Sequence, residues 1–148
     1  MAVTVLGWAR VALLALWFGS GVAAAADFGG LRGSVVRFAS VDEARAVLGA
    51  DDDWVAATSA LQRALIMGRA APATPAAFRR WQADAALPWP EAEQARWTRA
   101  LQSLAPAFNA LNVPLPPQVL LVRSSGRESA DTPHTRGAAV MIAQAFEQ

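Results

Sequence analysis

The stretch SSGRESADTPHTR, Ser124 to Arg136, holds the densest set of ionisable side chains in the chain: Arg127, Glu128, Asp131, His134 and Arg136. Guanidinium groups are planar forks of N–H donors that grip carboxylates and phosphates two bonds at a time. Arg127 and Arg136, with Glu128 and His134 between them, therefore make a candidate ligand-binding loop. A connection of this length inside a compact domain is often functional; the competing reading is a solvated hairpin tip. His134 is the only histidine, hence the sole side chain whose ordinary pKa suits proton transfer near neutral pH, and a small enzyme built on it is one alternative. That solitude weighs against most histidine-dependent mechanisms. A catalytic zinc commonly takes three protein ligands rich in His, and Ser124 and Ser125 sit in nothing like a nucleophile elbow. No catalytic residue, no metal ligand and no cofactor is assigned.

Asp51, Asp52 and Asp53 suggest a cation site, but calcium loops place acids at alternate positions with a central Gly and a distal Glu, a pattern missing here. Three acids before an apolar periodic stretch fit helix capping and the helix dipole better. Six tryptophans invite thoughts of stacking on sugars or bases. Trp54, Trp81 and Trp97 occupy core-type positions in helical patterns, whereas Trp89, between Pro88 and Pro90, is the one expected exposed platform.

The elements that must position these groups are legible as periodicities. SVVRFA, residues 34–39, reads as a strand, and Ser40 with Glu43 forms a capping-box signal for a helix to about Leu48, closed by Gly49. Trp54, Leu61 and Leu65 fall on one helical face between the aspartates and Gly68, as one helix or as two joined near Ser59. Thr74 as N-cap and Pro75 at the first helical position start the next helix, which bears Phe78 and Trp81. The longest runs from about Glu91 to Leu111 with Trp97, Leu101, Leu104, Phe108 and Leu111 on its core face, and Pro106 is expected to kink it. VLLVR, residues 119–123, and Gly137 to Ala143 read as strands. The expected fold is α+β and predominantly helical: four or five helices with a small antiparallel sheet of strands near 34–39, 119–123 and 137–143.

Composition bounds what this fold does. Arg10, an uncharged apolar stretch from Val11, and small residues at Ala24 and Ala26 read as a secretory signal peptide over residues 1–26, cut before Asp27. The 16 uncharged residues between Arg10 and Asp27 fall short of the roughly 20 that span a bilayer. The membrane is thus met only transiently, through the signal, and residues 27–148 form a single domain exported to the periplasm or the medium. All thirteen basic residues are Arg, against twelve acidic ones. With Arg10 removed the chain is near neutral and carries no basic stripe, so no nucleic-acid partner is expected. Without cysteine the domain depends on its core alone, and thiol chemistry is excluded.

Three blocks in order, FASVDEARAVLGADDDWVAATSALQRA, LPWPEAEQARWTRAL and LPPQVLLVRSSGRESADTPHTRGAAVMI, resemble the N-terminal part of a family of exported bacterial zinc-metallopeptidase-like proteins, over about Phe38 to Ile142. The resemblance implies that the strand ending at Ile142 is followed, in that family, by a His-Glu-x-x-His helix carrying zinc ligands and the general base. This sequence contains no His-Glu pair, has His134 where the family usually has Tyr, and has TSALQR where the family has a more acidic helix start. No ligand residue carries over; Thr135-Arg136-Gly137 does, as a structural or substrate-edge element. The expectation is a non-enzymatic front part whose end at Gln148 interrupts a longer protein, with a missing C-terminal part or a protein partner to cover it. The alternative is a complete small binding module using the 124–136 loop.

Overall fold

The computed structural model describes residues 34–50, 52–112, 114–127 and 133–147. The expected signal segment, Asp51, Glu128 and Asp131 lie outside them. β1, Val35–Phe38, is followed by five helices: α1 Val41–Gly49, α2 Asp52–Ala57, α3 Ala60–Ile66, α4 Pro75–Ala83 and α5 Glu91–Ala110. Three strands close the chain, β2 Gln118–Ser124, β3 His134–Arg136 and β4 Ala139–Ala143, before a short 3-10 turn. The chain is α+β, and three of its strands are those expected from sequence.

Local chemistry explains the helix starts. Ser40 and Glu43 form the reciprocal capping box on α1, and Ser59 with Gln62 forms a second on α3. The stretch from Asp52 to Ile66 is thus two short helices. Thr74 accepts the N–H of Ala77 ahead of Pro75 on α4. Pro106 lies within a continuous α5, leaving the Gln102 carbonyl without its helical donor. Asn112, left-handed at φ 54°, ends that helix.

The sheet order is β1-β2-β4-β3, with β1 parallel to β2, β2 parallel to β4, and only β3 antiparallel to β4. The expectation of an antiparallel sheet is corrected: the three strands legible in sequence all run the same way. The long 124–136 connection is the reason. β3 lies on the far side of β4, and the chain turns at Gly137, φ 57°, so that β4 slots in between β3 and β2. A two-residue hairpin allows only antiparallel neighbours, but a dozen residues allow a crossover.

Strand alternation sends two sets of side chains to opposite faces. On one face Ala39, Ala44, Leu48, Ala85, Val122, Ala139 and Met141 pack together, joining α1 and the turn after α4 to the sheet. The many alanines let α1 approach closely. On the other face Val36, Phe38, Trp89, Leu121 and Ile142 form a second core, reached from α5 by Trp97, Leu101, Ala105 and Phe108. No residue of the 20-residue α5 is buried.

Two aromatic expectations are reversed. Trp89 is 8% exposed, donates its indole N–H to the Leu121 carbonyl at 3.0 Å and meets Phe38 edge-on at 5.0 Å, so it is core rather than a platform. Trp54 is 41% exposed, and Leu61 and Leu65 are exposed with it. The break at Ser59 destroys the single helical face on which those three residues align.

An ion pair between α1 and β1 yields a pH prediction. Glu43 pairs with Arg37 at 2.6 Å and accepts the Ser40 N–H at 2.9 Å. The Arg37 guanidinium first, and the capping bonds second, hold its carboxyl down to about 2 from 4.5. A depressed folded-state pKa contributes stability that is present above the unfolded value and lost as pH falls through the folded one. Wild type should therefore exceed Glu43→Gln by about 0.5–1 kcal/mol at pH 6, discounted for solvent screening. That margin should vanish between pH 4.5 and about 2 in urea titrations; a margin unchanged at low pH refutes it.

Candidate functional site

The residues singled out in the 124–136 connection are directed to different places. Arg127 donates from Nη2 to the Asp84 carbonyl at 2.9 Å and from Nε to Ser125 Oγ at 3.3 Å. Arg136 donates from Nη1 to the Leu48 carbonyl at 3.1 Å. Asp84 is the C-cap of α4, and Leu48 lies in the last turn of α1. Each guanidinium therefore satisfies a carbonyl at the negative end of a helix dipole. The two arginines tie the connection to two helices and do not converge on one anion.

His134 sits in β3 opposite Met141, on the sheet face covered by α1, and Ser124 sits at the end of β2 opposite Ala143. β4 separates them. At ~4.8 Å per strand their backbones lie about 10 Å apart laterally, with a two-residue stagger besides. That is beyond a serine–histidine hydrogen bond. Ser124 is fully buried, and its Oγ accepts the Gly126 N–H at 3.2 Å. Among the described residues no three His, Asp or Glu side chains gather as a metal-binding group.

A more enclosed, apolar cleft lies on the opposite face. Because α5 stands off the sheet on large side chains, it leaves a cleft of about 330 Å³. Trp97, Leu101 and Phe108 wall it from the helix, Leu115 and Pro116 from the following connector, and Val36, Val119, Val140 and Ile142 from the sheet. Thr135, Gly137 and Ala138 of the β3–β4 hairpin form its rim. Apolar clefts of this size with few polar groups are the usual form of small-molecule sites. Sequence periodicity placed Trp97, Leu101, Leu104, Phe108 and Leu111 on one inward face; Leu104 and Leu111 are instead exposed. Periodicity carries no signal for the distance between that face and the sheet.

The polar groups in the walls are few. The Trp97 indole nitrogen is buried and makes no hydrogen bond. The guanidinium of Arg96 lies 5.6 Å from the Trp97 ring centroid and pairs with Glu93 at 2.7 Å, so its charge is met on α5 itself. Among the described residues no helix is long and apolar enough to cross a membrane. Comparison with protein-family models, curated proteins and solved structures found no match.

Proposed function

We propose that the protein is an exported, non-catalytic binding module that receives a small apolar molecule between α5 and the sheet. The observation that carries this reading is the apolar cleft itself, about 330 Å³ beneath a helix with no buried residue. Filling such space with hydrocarbon removes apolar surface from water at about 25 cal/mol per Å². The resemblance to the front of zinc-metallopeptidase-like proteins fits a part that binds rather than cuts. Export rests on the signal-like residues 1–26. The loop reading, with Arg127 and Arg136 gripping an acidic ligand, is less favoured because each is engaged on a separate helix end.

The test begins with protein recovered from the envelope fraction of the native host, whose intact mass should begin at Asp27. Titration with the uncharged dye N-phenylnaphthylamine should give saturable fluorescence at one dye per chain. Val140→Trp places an indole in the cleft and should abolish that signal while stability stays within about 1 kcal/mol of wild type. A signal that survives both Val140→Trp and Leu101→Trp would end the proposal, and a mass that includes residues 1–26 would end the export reading.

A further inference from the structure

The way α5 is attached governs entry to the cleft, and this step rests on the binding reading above. We propose that α5 is a lid: it lifts from the sheet between two fixed ends, admits an occupant beneath Trp97, Leu101 and Phe108, and is held down by that occupant.

The two ends are pinned. Before the helix, the Leu87 N–H donates to the Arg123 carbonyl at 3.0 Å, Arg123 Nη1 donates to the Pro88 carbonyl at 3.0 Å, and the Trp89 indole donates to the Leu121 carbonyl. After it, Ser34 Oγ donates to the Pro116 carbonyl at 2.8 Å and the Val35 N–H to the Pro117 carbonyl at 2.9 Å. Between these points the attachment is of another kind. Among the described residues, every hydrogen bond and ion pair of Glu91–Ala110 stays within residues 89–111. α1, α2 and α3 each pack against α4 at close range, whereas no other element lies equally close along α5. What holds α5 down is the apolar contact of Trp97, Leu101, Ala105 and Phe108 with the core, and none of its residues is buried.

Apolar contact is non-directional, and the cleft interrupts it. A segment with few buried apolar contacts opens at a lower free energy than the core. Pro106 lowers that free energy further, because the Gln102 carbonyl loses its helical donor. An occupant reverses the balance. It touches Trp97, Leu101 and Phe108 on one side and Val140 and Ile142 on the other only while α5 is down. It therefore binds the closed state better and shifts the population toward it.

Hydrogen–deuterium exchange of the envelope-derived protein, read by mass spectrometry of its pepsin fragments, tests this with N-phenylnaphthylamine as the probe. Lifted from the sheet, α5 is a marginal isolated helix whose amides meet water. Fragments within Glu91–Ala110 should exchange at least about a hundredfold faster than those of β2 and β4. Because lifting exposes little surface, about 1 M urea should leave the α5 rate nearly unchanged while speeding that of the sheet. Dye at about ten times its Kd should slow α5 exchange about tenfold. Exchange of α5 as slow as that of the sheet, or a rate that rises with urea in parallel with it, would overturn the lid and leave the cleft reading standing. Saturable dye binding that leaves the α5 rate unchanged would mean that the occupant does not hold the helix down, and would overturn the lid as well. Fast exchange of α5 with no dye binding would end the binding reading, and the lid with it.

Discussion

Arg63→Met is expected to lower folding stability by about 3 kcal/mol, the largest single-site loss anticipated here. Arg63 lies in α3 and is 7% exposed. Its Nε donates to the Ala73 carbonyl at 3.1 Å, and Nη1 donates to the Val55 carbonyl at 3.1 Å and to the Thr58 carbonyl. These acceptors belong to α2, to the α2–α3 junction and to the segment before α4. Helices of six and seven residues do not persist alone in water, so α2 and α3 need tertiary anchors. One guanidinium supplies bonds to three separated stretches of backbone. Methionine keeps most of the packing volume but leaves three carbonyls without that donor. A single ammonium cannot reproduce a planar fork of donors, so Arg63→Lys should recover less than half of the loss. Urea unfolding of the three proteins is the measurement. A cost below 1 kcal/mol for Arg63→Met would mean that solvent reaches those carbonyls and that α2 and α3 are held by other contacts.

The opposite sign is expected for Gln82→Met, about 2 kcal/mol of added stability. Gln82 projects from α4, is 0% exposed, and neither Oε1 nor Nε2 has a hydrogen-bond partner. A buried amide without partners carries its full desolvation cost, about 1–3 kcal/mol. Methionine is close in length and flexibility, has a similar helix propensity, and brings only a weakly polar sulfur. The substitution therefore removes a cost and leaves little cavity. Gln82→Ala separates the two contributions, because it deletes the amide but opens a void, and should lose stability overall. If Gln82→Met instead destabilises, an ordered water completes the amide's bonds, and Gln82 is part of a polar network worth retaining.

The elements were legible because their signals are local. Ser40 with Glu43 and Thr74 with Pro75 satisfy backbone donors within one helical turn, and these starts appear where the sequence places them. Residues 119–123 are a strand because β-branched and leucine side chains suit a pleat buried on both faces, and Val122 and Leu121 do enter opposite cores. Strand direction was not legible. A buried strand has the same apolar pattern beside a parallel or an antiparallel neighbour, and the connection decides between them. The tryptophans failed for a related reason. Prolines around Trp89 describe its backbone and say nothing of Phe38 and Leu121, which lie far away in sequence and enclose it.

By itself the sequence determined the capped helix starts at Ser40 and Thr74, the positions of three strands but not their direction, the dependence on a core without disulfides, and the lack of a histidine-rich zinc set. Tertiary structure alone decided the rest. Arg127 and Arg136 look like a pair on one loop, yet β3 and two helix ends draw them to separate carbonyls. The cleft exists because alanines bring α1 close on one face, whereas Trp97, Leu101 and Phe108 stand between α5 and the other. Local patterns record which side of an element is apolar. How far apart two apolar sides come to rest depends on the volumes of residues brought together from distant parts of the chain, and packing sets that distance only when the whole core forms.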